Sequence, residues 1–491
     1  MTSFVEMMTE KDTLTANGAI TNSTSHNYNV DLFFLAGACR NESVENIENV
    51  LTKSYNQDRL KTLKIIFWAG DIRQGAGERR FFKLALSWLS RKHPEDIQNN
   101  LKWIPEFSRW DVIFDLAMEN EVLFSFILTA LSNPDSSTYG LLCKWLPRKN
   151  YATDKKKSVK GNSTTVTRTK RSLHGGLAGK LIKALNITPK QYRKMLVEGT
   201  KVVEQQMCSK KWNEIDYSKV PSVAMNKYNK AWYRNDQERF EQYLESVKKG
   251  ESKMNASAIF PHDIVKDAVR SWHSAGLNDA QIVQWNSLPN WLDGKENSII
   301  PVCDVSGSMT CNNGIPMAMS VGLGLYISER NIGPFKDAFI TFSTNPKMQY
   351  LNGDINERLH QLVNAEWGGS TNLVGVFELI LRKAIDTNLP QEQMPKTILV
   401  ISDMEFNSCA QLTNYETIKK AYKVSGYKCP NIVFWNVNGR AKNVPVTINN
   451  DGVALISGAS PSIIRSVLTD NISPIKIMDS TIESERYSVI V

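Results

Sequence analysis

Long apolar runs are missing from these 491 residues. No stretch of about 18 apolar residues is present to span a bilayer, and no early segment joins a charged start to an apolar core and a small-residue cleavage site. The expectation is a soluble, cytoplasmic chain with no membrane partner. Cysteine is sparse: seven, an odd and scattered set without a Cys-x-x-Cys pair, which argues against a disulfide framework or a zinc knuckle and fits reduced thiols. The six histidines contain no His-Glu-x-x-His, so zinc hydrolysis finds no support. Gly175-Gly176-Leu177-Ala178-Gly179-Lys180 looks like a phosphate loop, but His174 stands where the first glycine belongs and Leu181 where a Ser or Thr belongs. Acidic charge is short in one half only. From Asn297 onward there are 16 Lys and Arg against 17 Asp and Glu, and before it 43 against 33, so the net +9 divides into +10 and −1. That asymmetry points to an anionic partner for the N-terminal part, nucleic acid first. A merely soluble basic surface is the other reading.

What is present changes character at residue 297. Residues 1–27, rich in Thr, Ser and Asn, read as a disordered tail. Residues 28–296 carry helical periodicity: Leu60, Leu63, Ile66 and Phe67 mark one stripe, and Phe81, Leu84, Ala85, Trp88 and Leu89 the next. Thr188-Pro189 opens another helix with an N-cap and a proline at its first position. Short helices that cannot bury their apolar faces alone imply stacked hairpins, an irregular, basic, HEAT-like α-helical repeat domain. Two loops interrupt it. Asp71 to Arg80 brings paired glycines together with Arg73, Arg79 and Arg80 at a helix start, either a phosphate cradle or an ordinary turn with solvated charges. Between Lys144 and Lys183 stand twelve basic residues and one acid, Asp154. Lys144, Arg148, Lys149, Lys155, Lys156, Lys157, Arg168, Lys170 and Arg171 are the candidate RNA contacts there. They lie in or around a flexible loop, 150–175, beside Trp145 and Tyr151, where phosphates can pair with cations and bases can stack. A plain solvated insertion is the alternative.

Residues 297–491 alternate strand and helix. Strands are expected at Ile299 to Cys303, Ala338 to Phe342, Thr397 to Ile401, Ile432 to Trp435 and Val453 to Ile456, the signature of a doubly wound α/β domain with a mostly parallel sheet. Two strands end in aspartate. Ile299 to Cys303 runs into Asp304-Val305-Ser306-Gly307-Ser308, and Val400-Ile401-Ser402 into Asp403. In this topology both aspartates close strands on one edge of the sheet and face one crevice, which Thr371 enters from the Trp367-Gly368-Gly369-Ser370 loop. Asp304, Ser306, Ser308, Thr371 and Asp403 then surround one hard cation, Mg²⁺ or Mn²⁺.

This set resembles the metal-ion-dependent adhesion site (MIDAS) of von Willebrand factor A domains, with all five positions matched in order. The resemblance implies that the serines and usually the threonine bind Mg²⁺ directly, the aspartates often through water, and that an Asp or Glu of a protein partner completes the shell. Ile72 to Phe82, Ile104 to Asp111, Lys144 to Lys149, Val220 to Tyr228 and Met254 to Val265 look like an uncharacterised family that places a helical region before such a domain. That family is similar in layout to the TROVE proteins of the Ro group. There, helical repeats form a ring closed by the A domain and bind misfolded or small structured RNA. The resemblance implies an RNA-binding ribonucleoprotein component and no catalytic residue. A protein-interaction scaffold that uses the metal site without nucleic acid is the alternative. A metal-dependent hydrolase is a third reading, for which the sequence places no general base, although Glu405 stands two residues beyond Asp403.

Overall fold

The computed structural model describes residues 13–148, 169–200, 202–271, 276–292, 298–365, 371–408, 413–468 and 472–491, the backbone alone at 169–175 and 271. Its chain divides into two compact units, Met1–Phe81 with Asp216–Ile490, and Phe82–Ile215 with Val491. Among the described residues no helix is long and apolar enough to cross a membrane.

The first unit is built on a six-stranded sheet. Its strands are β3 (Ile299–Cys303), β4 (Ala338–Thr341), β5 (Met348–Tyr350), β6 (Thr397–Ser402), β7 (Asn431–Asn436) and β8 (Val453–Ser457), with β1 (Thr13–Leu14) and β2 (Ile20–Thr21) forming a separate small pair. The order is β5-β4-β3-β6-β7-β8, parallel throughout except for β5, which runs against β4. Every residue of β3, β6 and β8 is buried, as expected of parallel strands covered on both faces, which read as continuous apolar runs. From β3 the chain steps to β4 on one side and then returns to place β6 on the other. The strand order therefore reverses between β3 and β6.

Helices from the N-terminal region cover this sheet. The helix Tyr28–Ala36, capped by Asn27, is tied to β8: Ser457 Oγ donates to the Phe33 carbonyl at 2.7 Å, and Gly37 N–H donates to Ser457 Oγ at 3.0 Å. The helix Pro261–Ser271 lies along Cys311–Arg330 so closely that a Cβ on Gly322 would come within 2.9 Å of the His262 nitrogen. Among the described residues the helix Asp279–Asn286 is followed by the strand Ile299–Cys303, but the packing runs across this change.

The N-terminal tail is a correction. Of the expected tail, residues 1–12 lie outside the described residues, and Thr15, Ala19, Thr21, Thr24 and Ser25 are buried. The Thr, Ser and Asn side chains that look solvated in the sequence instead bond to loops of the α/β part. Thr15 Oγ1 donates to the Phe406 carbonyl at 2.6 Å, and Asn22 exchanges backbone hydrogen bonds with Val444, each 3.0 Å.

The second unit is helical. Glu121–Leu131, Tyr139–Trp145 and Pro189–Gly199 bury Leu123, Ile127, Leu142, Tyr192 and Leu196, and Thr188 forms a reciprocal capping box with Gln191 at the start of the last. The helix Thr169–Ala184 starts inside the segment expected to be a flexible loop. Of that expectation, 150–168 lies outside the described residues and 169–175 is helical.

Candidate functional site

The strand-order reversal puts the ends of β3 and β6 side by side, where open α/β sheets receive ligands. Register fixes the pair, since Cys303 stands opposite Ile401 and the residues that follow enter one crevice. Asp304 is fully buried and Asp403 is 2% exposed. Asp304 Oδ2 accepts from Ser402 Oγ at 2.6 Å, and its Oδ1 accepts the Ser306 N–H at 2.9 Å. Ser306 Oγ and Ser308 Oγ stand 3.1 Å apart. Thr371 Oγ1 donates to the Glu405 carbonyl at 2.7 Å and accepts from Asn17 Nδ2 at 3.2 Å.

Asp304, Ser306, Ser308 and Asp403 lie together at these strand ends, and Thr371 lies beside Glu405. The loop before Thr371, residues 366–370, lies outside the described residues. Burial raises the pKa of Asp304 against the pull of its Ser402 and Ser306 hydrogen bonds. Burial first, then the Asp304 charge, push Asp403 up to about 7, while a hydrogen bond from Ser308 pulls the other way. Two carboxylates out of water repel each other, a cost that a bound proton or a neighbouring positive charge relieves. Among the described residues no ion pair supplies it, and no three His, Cys, Asp or Glu side chains form a metal cluster. The donor set is two carboxylates with hydroxyl oxygens, the composition that suits a hard divalent ion.

Four further partners have weak marks in the sequence or none. Ser402 could be read from its place beside Asp403. Glu405 is 7% exposed and its carboxylate is held by Arg440, with Nε to Oε1 at 2.7 Å and Nη2 to Oε2 at 2.9 Å, and by the Ala16 N–H at 2.5 Å. Neither Arg440 nor Asn17 belongs to a motif, so only the fold brings them in.

The candidate RNA contacts are described in part. Lys149, Lys155, Lys156, Lys157 and Arg168 lie outside the described residues, while Lys170 and Arg171 belong to the helix Thr169–Ala184. Arg73 and Arg79 are exposed. Arg80 donates to the carbonyls of Cys39 and Glu42 at 2.9 and 2.7 Å. Its loop serves as a tether: buried Asp71 takes Arg486 Nε and Nη2 at 2.5 and 2.8 Å. The loop's glycines permit a close reversal, since a Cβ on Gly75 would meet the Trp68 carbonyl oxygen at 1.9 Å. In the second unit Lys144 pairs with Glu204 at 2.7 Å, and Arg148 donates to the carbonyls of Cys143 and Leu146 at 2.9 and 2.6 Å. These two hold local structure.

Charge divides more sharply by unit than by sequence half. Residues 82–215 hold 23 Lys and Arg against 12 Asp and Glu, a net +11, leaving 36 against 38, a net −2, for the rest of the chain.

Comparison with known proteins bears on both parts. A model described as a domain of unknown function, DUF2828, matches residues 15–112 and 126–295, and a second, DUF7788, matches 298–487. The uncharacterized protein L728 of Acanthamoeba polyphaga mimivirus is 27% identical over 96% of this chain and 87% of its own length. Among solved structures, the RO (RSR) protein of Deinococcus radiodurans aligns over 89% of this chain and 91% of its own at 12% identity, with a TM-score of 0.36. At that score the likeness carries no argument about mechanism.

Proposed function

The chain belongs to the family of the DUF2828 domain of unknown function, and on that premise we propose that it is an RNA-binding ribonucleoprotein component of Ro type. The observation that carries this reading is the partition of charge, +11 on residues 82–215 and −2 on the remainder. A flexible or helical polyphosphate partner answers such a unit better than a protein surface does, because each neutralised phosphate releases a counterion. Lys155, Lys156 and Lys157 are the residues assigned to the first phosphates.

At the crevice, Asp304, Ser306, Ser308, Thr371 and Asp403 would hold Mg²⁺ or Mn²⁺. Bound there, the ion supplies a positive centre with an open position for an outside carboxylate. The chain's own part is to hold the carboxylates and hydroxyls in place. Ser402 fixes the Asp304 carboxylate, Ser308 lies on Asp403, and Glu405 is drawn aside by Arg440. The exposed Ser308 at the rim of this site supports a second reading, the scaffold, in which an acidic protein partner is gripped without nucleic acid.

The test is a titration of structured RNA at rising salt. Affinity should fall steeply, and reversing Lys155, Lys156 and Lys157 to Glu should weaken binding and flatten the salt slope by about one unit per lost phosphate contact. An affinity indifferent to salt overturns the reading. Capture of partners that is abolished by EDTA and unmoved by RNase supports the scaffold instead.

A further inference from the structure

A cavity of about 460 Å³ opens in the first unit between the helices Tyr28–Ala36 and Val44–Gln57 and the loop 436–444. Its volume lies in the range of small-molecule sites, and its lining is polar and cationic. Lys53, Arg440 and Lys442 reach it, against a single lining carboxylate, Asp31, which already accepts from Thr24 Oγ1 and the Ser25 N–H. Lys53 Nζ stands 4.8 Å from the centroid of the Tyr28 ring, so a cation and an aromatic face meet on one wall. Asn436 and Asn443 supply amides on another. Asn443 is 5% exposed. Its Nδ2 donates to the Met404 carbonyl at 3.1 Å and to Glu405 Oε1 at 3.3 Å, while its Oδ1 has no hydrogen-bond partner. A buried acceptor left without a donor is unusual, because it keeps the cost of desolvation with nothing to offset it.

We propose that this cavity is a nucleotide site, taking a nucleoside monophosphate either free or as the terminal residue of an RNA. Lys53, Lys442 and the exposed side of Arg440 receive the phosphate by charge-assisted hydrogen bonds. The Tyr28 ring offers a stacking face, and the asparagine amides, carrying both donors and acceptors, read the edge of the base. A bare anion leaves the Tyr28 ring and the lining amides unused, which is why the ligand class is a nucleotide rather than phosphate alone. The site goes beyond the reading above and rests on neither the metal nor the basic unit.

The experiment is calorimetric titration of the full chain in EDTA, so that failure of the metal reading leaves it intact. The probes are AMP, UMP and inorganic phosphate. At least one nucleotide should bind one to one and more tightly than phosphate, and Lys53→Glu with Lys442→Glu should weaken it by about tenfold or more, the loss of one charged hydrogen bond. Lys442→Glu alone, a change at an exposed position, gives the same direction should the double variant fail to fold. Displacement of the nucleotide by a linear RNA but not by the same RNA circularised assigns the ligand to an RNA end; displacement by neither assigns it to free nucleotide. Phosphate binding as tightly as both nucleotides, or nucleotide binding indifferent to the lysine reversals, overturns the proposal.

Discussion

His262 is held neutral by its surroundings. Its side chain is 13% exposed, with Nε2 3.8 Å from Asp263, and its Nδ1 has no partner. Burial lowers its pKa, and the charges of Arg40 and Lys266 push the same way, opposed only by Asp263. The unfolded chain therefore takes up a proton as the pH falls through about 6.5, while the folded chain resists it. This contribution to stability is complete above that pH and is lost as acid is added. Replacing His262 with Asn should flatten the fall in melting temperature between about pH 7 and 5.5; a slope equal to that of the parent chain would show that another group controls it. At this scale the sequence was informative where chemistry is written into a motif. Asp304, Ser306, Ser308 and Asp403 stand in strand-to-loop junctions that announce themselves. Asn17 and Arg440 do not, because their roles depend on partners 388 and 35 residues away.

Between elements, the contact of greatest consequence is helix against helix. Gly322 faces the backbone of Pro261–Ser271, and an added Cβ would lie 2.9 and 3.0 Å from the nitrogen and Cα of His262. Backbone cannot swing aside as a long side chain can. Gly322→Ala should thus destabilise the first unit by about 1–3 kcal/mol, the usual range for overpacking, read as a lower urea midpoint with an unchanged m-value. An unchanged midpoint would mean that the two helices are free to part. Elements were legible in proportion to their length and burial. β3, β6, β7 and β8 are apolar runs of five or six residues and were expected within a residue or two at each end. β5 has three half-buried or exposed residues, too few to alternate, and was missed. The helix Ile355–Val363 was overlooked although Asp354 and Glu357 spell a capping box.

For the molecule as a whole, charge and chemistry belong to different units. The basic residues concentrate in 82–215 and the oxygen-lined crevice in the other unit. The two activities should then be separable. Asp403→Asn should abolish the rise in melting temperature on adding Mg²⁺ while changing RNA affinity by less than about twofold, and the triple reversal of Lys155, Lys156 and Lys157 should do the opposite. Loss of both properties in either variant would mean that one site requires the other. The split into units could not be read from composition, because helical patterns stand on both sides of its boundaries at residues 81 and 215 and only three-dimensional contacts show which of them cover the sheet.

The bond from Asn17 to the Glu405 carbonyl spans 388 residues of chain, and this has a bearing on how the protein is made. At roughly 5–20 residues per second of synthesis, the amino-terminal strands emerge from the ribosome about 20–80 s before the loop they will bond exists. The helical unit of residues 82–215 can fold during that interval. The crevice cannot: its rim joins residue 17 to residue 405, so it closes only after residue 405 has been translated.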